Sequence, residues 1–143
     1  MFINEYKYIS SIYKMTETTV DKLKEWQKVI DNANNGVIIM KFSAEWCGPC
    51  KKVSPLWDAY LNKRPDNVVM IDVDIDDSLD LYMFMKKKRM LNGVPAILVW
   101  YPQSNRDEDL WYIPEDSISG FDEGEIISLF ARCFSKAIAL YQT

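Results

Sequence analysis

The chain has 143 residues, a net charge of −4 and no histidine. That length supports one domain with a real hydrophobic core. The acidic balance argues against a general nucleic-acid binder, and the lack of histidine excludes Cys/His zinc sites, Ser-His or Cys-His catalysis and histidine general bases. No apolar stretch approaches the roughly 20 residues needed to span a bilayer. The N-terminal stretch mixes Glu5, Lys7 and Lys14 with apolar residues and has no apolar h-region, so no signal peptide is expected. Three cysteines, two of them in one CxxC, do not make a secreted disulfide framework. A reducing, cytoplasmic setting fits them best.

Strands and helices alternate along the chain. Tyr6 to Tyr13 is a candidate first strand, inside an N-terminal extension over residues 1–15. Thr18 and Asp21 form a near capping box for a helix with Val20, Leu23, Trp26, Val29 and Ile30 on one side. Asn34-Asn35-Gly36 is a turn signal that ends it. Val37 to Ser43 is a nearly continuous apolar run, which predicts a strand buried on both faces. The helix after Cys47 places Val53, Leu56, Trp57, Tyr60 and Leu61 together, with Pro55 inside it as a predicted kink. Val68 to Val73 is another apolar strand, with acidic Asp72, Asp74, Asp76 and Asp77 at and beyond its end. Ser78 stands where it can cap a helix running to about Met90, and Ala96 to Tyr101 reads as a further strand. Residues 101–120 are irregular and acidic, with Leu110 to Ile113 as a short edge strand. Asp122 and Glu125 form an acidic capping box before the last helix. That helix carries Ile126, Ile127, Phe130, Cys133, Phe134, Ala137, Ile138 and Tyr141 at helical spacing.

The chemistry concentrates in Trp46-Cys47-Gly48-Pro49-Cys50. Two cysteines separated by two residues can close a very small disulfide ring. A cysteine that starts a helix faces unpaired backbone N–H groups and the positive end of the helix dipole. Both favour the thiolate, the nucleophile of thiol–disulfide exchange. The second cysteine lies one turn deeper and can attack a mixed disulfide from behind. The apolar run before the motif and the amphipathic helix after it supply the strand–turn–helix context of a redox CxxC. The rival reading, half of a metal site, lacks two ligands: only Cys133 is left over, and it lies on the apolar stripe of the last helix, where a free cysteine packs as a small hydrophobe. Lys86-Lys87-Lys88-Arg89 closes a helix, where cations complement the dipole, and Asp107-Glu108-Asp109 reads as a solvated loop.

The stretch Phe42-Ser43-Ala44-Glu45-Trp46-Cys47-Gly48-Pro49-Cys50, with Lys51 and Pro55 after it, resembles the active-site signature of the thioredoxin family. Gly93-Val94-Pro95 resembles the second signature of that family, a Gly-x-Pro whose proline is cis and faces the cysteines. The resemblance runs from about Gly36 to Tyr101. It implies an α/β thioredoxin fold over one domain, residues 1–143: a central mixed five-stranded sheet, order 1-3-2-4-5, flanked by helices on both faces. It implies that Cys47 is an exposed nucleophile and Cys50 a buried resolving thiol. Trp46, Gly48, Pro49, Val94 and Pro95 would form the flat apolar surface that receives a partner's disulfide. The Gly-Pro dipeptide between the cysteines points to a reductant.

Three features depart from the family pattern. Lys41 stands six residues before Cys47, where the family carries a buried aspartate that assists proton transfer. Ala96 follows Pro95 where threonine is usual, and the segment from Pro95 to Gly120 is longer. Lys41 has two open readings, a side chain that snorkels to solvent and a modifier of the thiol pKa. The expected function is reduction of protein disulfides through a reversible Cys47–Cys50 dithiol. The expected partners are disulfide-containing proteins and a thioredoxin reductase drawing on NADPH. No bound cofactor, metal, nucleic acid or membrane is expected, and the chain should be a monomer. The alternative is a non-catalytic interaction module or assembly subunit on the same fold.

Overall fold

The computed structural model describes residues 19–31, 36–102 and 106–141. The candidate strand Tyr6 to Tyr13, the capping residue Thr18 and the turn residues Asn34 and Asn35 lie outside them. In chain order the elements are α1 (Thr19–Asp31), β1 (Val37–Ser43), α2 (Gly48–Lys63), β2 (Val68–Asp74), α3 (Leu79–Lys87), β3 (Ala96–Trp100), a short 3-10 turn (Glu108–Leu110), β4 (Asp116–Ser119) and α4 (Glu123–Tyr141).

The apolar run of β1 makes it the centre of the sheet. It pairs in parallel with β2, from Val37 opposite Val68 to Ser43 opposite Asp74. On its other side it pairs antiparallel with β3, and β3 pairs antiparallel with β4. The described residues therefore form a mixed sheet of four strands in the order β2-β1-β3-β4. This corrects the expected count of five within the described residues, and the order agrees with the last four positions of the implied 1-3-2-4-5.

Alternation along each strand sends side chains to two faces. Ile38, Met40, Phe42, Val69, Ile71, Leu98 and Trp100 meet Trp26 and Ile30 of α1 and Leu81 and Met85 of α3. Val37, Ile39, Met70, Ile97 and Val99 meet Val53 and Trp57 of α2 and Ile126, Leu129, Phe130, Cys133 and Ala137 of α4. In α4 the predicted stripe holds at its centre, but Ile127 and Ile138 are exposed and Leu129 takes an inward place. Pro55 sits inside α2 without ending it. The Asp122 carboxylate accepts the Glu125 backbone N–H at 3.0 Å, as the acidic capping motif predicts.

Two boundaries differ from the sequence reading. Helix α3 stops at Lys87 rather than near Met90, because Arg89 adopts a left-handed backbone (φ 63°). The Met90 N–H then reaches the Met85 carbonyl and the Arg89 N–H the Lys86 carbonyl, which satisfies the last turn. Leu110 to Ile113 is not a strand. Asp107 caps the 3-10 turn through the Asp109 N–H, and Trp111 turns inward to stack on Phe84 at 5.5 Å. Arg106 then grips Glu115 with both arms, at 2.6 and 3.1 Å. Pro114 has no N–H to offer a ladder, so pairing begins just after it, where the Glu115 N–H meets the Val99 carbonyl. The outer strand is thus β4, Asp116–Ser119.

Phe130 is fully buried, stacked on Tyr60 at 4.2 Å and edge-on to Trp57 at 6.0 Å. Phe130→Ala should lower stability by about 3–5 kcal/mol in urea denaturation. Ile127→Ala, three residues earlier on the exposed side of α4, should change it by well under about 1 kcal/mol.

Candidate active site

Strand β1 ends at Ser43, whose carbonyl accepts the Ile75 N–H at 2.9 Å. Ala44 follows, and its carbonyl accepts the Cys47 N–H at 3.2 Å. This tight turn places Cys47 at the N-cap of α2 in an extended conformation, with Pro49 in the first turn. Proline suits that position because the N–H it lacks would have no intrahelical partner. Cys47 and Cys50 are joined as a disulfide, their Cα atoms 5.3 Å apart. The Cys50 backbone N–H donates to Cys47 Sγ at 3.2 Å. Once the disulfide opens, that N–H and the helix dipole favour charge on Cys47 Sγ.

The second signature lies against the first. The Val94–Pro95 peptide bond is cis, and the Val94 carbonyl oxygen lies 3.7 Å from Cys47 Sγ. Trp46 is 69% exposed, and its indole N–H donates to the Asp76 carboxylate at 3.0 Å. Gly48 and Pro49 are exposed and Pro95 is buried. A Cβ at Gly48 would meet nothing within 4 Å, so glycine keeps the surface low beside the disulfide. The structure thus brings Cys47 and Cys50 together, with Val94 against Cys47. It also corrects one expectation. Cys47 is only 5% exposed and Cys50 3%, so with the disulfide closed Cys47 is buried like its partner rather than exposed.

Lys41 does not reach open solvent. Its side chain is 4% exposed, and its ammonium pairs with Asp72 at 3.2 Å and lies 5.0 Å from the centre of the Trp57 ring. Two residues at the site carry no mark of a role in the sequence: Asp72, the partner of Lys41, and Asp76, the partner of Trp46. The acidic run at the end of β2 was visible, but the register that sets Asp72 opposite Lys41 was not. Among the described residues, no cluster of three or more cysteine, aspartate or glutamate side chains is arranged to hold a metal ion.

Cys133 lies apart from this site, fully buried on α4. The Tyr101 hydroxyl donates to its sulfur at 3.7 Å. Burial pushes the Cys133 thiol up to about 11, against the opposing effect of that hydrogen bond. Burial, and then the contact with Cys133, pushes the Tyr101 phenol above its ordinary range. In reduced protein at neutral pH, limiting iodoacetamide should therefore modify Cys47 first. Cys133 should stay unmodified until the pH approaches about 11. Peptide mapping checks this, and faster labelling of Cys133 than of Cys47 would overturn the order.

The family model for thioredoxin matches residues 17–111. Thioredoxin of Oryctolagus cuniculus is 40% identical over 62 residues, which span 43% of this chain and 58% of that protein. Thioredoxin of Homo sapiens is 34% identical over the same shares of each chain. The chain thus spans little more than half the length of these curated relatives. A solved thioredoxin of Fasciola hepatica superposes with a TM-score of 0.59 at 22% identity, covering 78% of this chain and 93% of that one. A Plasmodium falciparum thioredoxin also gives 0.59, at 21% identity, covering 77% and 80%. These superpositions carry the fold, a thioredoxin fold with its mixed sheet between two layers of helices. The family match over residues 17–111 takes in both signatures and the strands that bring them together, and on it the chain belongs to the thioredoxin family.

Proposed function

We propose that this chain is a thiol–disulfide oxidoreductase that reduces protein disulfides through Cys47 and Cys50. The observation that carries the reading is the disulfide at the start of α2, with Cys47 as N-cap and the Val94 carbonyl beside its sulfur. In the dithiol form, the Cys47 thiolate attacks one sulfur of a substrate disulfide and expels the other as a thiolate. The resulting mixed disulfide is attacked at Cys47 Sγ by the Cys50 thiolate. The second substrate thiolate leaves and the Cys47–Cys50 disulfide forms. Two electrons pass from the protein dithiol to the substrate, and the two protons lost by the cysteines match those taken up by the substrate thiols.

Trp46, Gly48, Pro49 and Val94 are proposed as the surface that receives the substrate, with Pro95 buried behind it rather than part of the open face. The exposed indole of Trp46 is held by Asp76 rather than free to rotate, which supports a preformed platform. Turnover needs an external reductant, here proposed to be a thioredoxin reductase drawing on NADPH, in the reducing setting of the cytoplasm. The monomeric state is part of the same proposal.

The test uses insulin as the disulfide substrate and dithiothreitol as the reductant. The wild type should accelerate insulin reduction, and Cys47→Ser should fall to the rate of dithiothreitol alone. Cys50→Ser should accumulate a mixed disulfide with insulin, seen as an adduct in non-reducing mass spectrometry. A wild type no faster than dithiothreitol would favour the non-catalytic interaction module.

A further inference from the structure

Lys41 is the one buried charged side chain among the described residues. It occupies the centre of β1, on the face covered by α2, where Val37 and Ile39 show that an apolar side chain would serve packing. Its ion pair is lopsided: the Lys41 side chain is 4% exposed and that of Asp72 is 50% exposed. Water screens the carboxylate while the ammonium stays in a poorly screened interior, so the inward field of the pair is positive. The Ser43 hydroxyl donates to the other Asp72 oxygen at 3.4 Å, which helps to hold the carboxylate in place.

The positive end and Cys50 border the same cavity. Cys50, Ser54 and Trp57 follow one another at helical spacing on one side of α2, and Lys41 packs against the Trp57 ring. Lys41, Asp72, Cys50 and Ser54 line a single cavity of about 620 Å³. Four further charged groups reach it: Glu45 before α2, Lys51 on α2, Asp74 on β2 and Asp77 beyond β2. Glu45, Lys51 and Asp77 are exposed and screened. Asp74 is half-buried, and its carboxylate is turned to the Asp76 N–H at 2.8 Å. Lys41 is thus the buried charge of the cavity that Cys50 shares.

We propose that Lys41 is a positioning residue for the resolving step: its ammonium, held inward by Asp72, supports the Cys50 thiolate that attacks the Cys47 mixed disulfide. The proposal rests on the assignment of disulfide exchange to Cys47 and Cys50. Cys50 gives its proton to solvent through the cavity, and its thiolate bonds to Cys47 Sγ. The bond between Cys47 and the substrate sulfur breaks, and the departing substrate thiolate takes a proton from solvent. The charge at Lys41 thus acts on the second sulfur, where the helix N-terminus acts on the first.

The test follows each cysteine by NMR of reduced protein with carbon-13 at the cysteine β position, across a pH titration. Lys41→Met should raise the Cys50 midpoint by about one pH unit and leave that of Cys133 unchanged. Release of the second nitrothiobenzoate after mixing with dithiobis(nitrobenzoate) reports the resolving step. It should slow about threefold at neutral pH, because the lost thiolate fraction is partly offset by higher intrinsic nucleophilicity. Lys41→Gln, which keeps a polar end but no charge, serves should Lys41→Met not fold, and it should raise the Cys50 midpoint in the same direction. A Cys50 midpoint that stays put, or moves the opposite way, in a folded variant would overturn the role of Lys41. Insulin reduction by the wild type, measured in parallel, separates that failure from a failure of the functional reading.

Discussion

Burial of β1 on both faces is the constraint on which the site depends. Val37 through Phe42 are almost wholly removed from water, and the strand is paired on both edges. Fully burying one large aliphatic side chain contributes about 1.5–3 kcal/mol, so several in succession lock the strand against slippage. A register shift of one residue would send its side chains to the wrong layer. The end of β1 is therefore a fixed point. From it the chain has only the turn at Ala44 to Trp46 before α2 begins, and Cys47 stands at the start of the helix. The Cys47 sulfur is placed by the core rather than by a loop.

A second consequence of the same strand is the cost of placing a charge in it. An ammonium at Lys41 must be desolvated, and such a group is retained only where partners compensate. Asp72 and the face of Trp57 both do so. The parallel register makes this possible: Lys41 and Asp72 stand directly opposite, so their side chains leave the sheet on the same face. One end of the pair sits under α2 and the other reaches solvent at the rim of the cavity. This geometry turns a residue that looks like an interruption of the strand into a fixed charge on the wall of the cavity that Cys50 also lines.

The segment between β3 and α4 shows how an acidic stretch is made orderly. Arg106 joins the Glu115 carboxylate to the carbonyls of Tyr101 and Ile113. Trp111 closes the core on one side, stacked on Phe84. At the other end Asp116 accepts from Arg132 of α4 at 2.9 Å. These contacts carry the chain from β3 to β4. The Gly120 N–H then meets the Pro95 carbonyl at 2.8 Å, and its φ of 77° is a conformation that glycine adopts without strain. The added length is thereby tied to the stretch that bears Pro95.

The apolar runs and the two short signatures were legible in the sequence because their physics is local. Period and length mark β1, β2, β3 and α4, and a cysteine after an apolar strand marks the start of a helix. The edge strand Asp116–Ser119 was not legible, because only Ile118 of Asp-Ser-Ile-Ser carries an apolar side chain, and its place is decided by Pro114 and by pairing with β3. Nor was the end of α3, where a left-handed arginine stands in for the usual glycine. The sequence by itself determined that a CxxC would begin a helix behind a buried strand. Only the tertiary structure decided that Val94 lies against Cys47 and that Asp72 lies against Lys41. Those contacts join segments 47 and 31 residues apart, and their partners are chosen by strand register and layer packing rather than by any local preference.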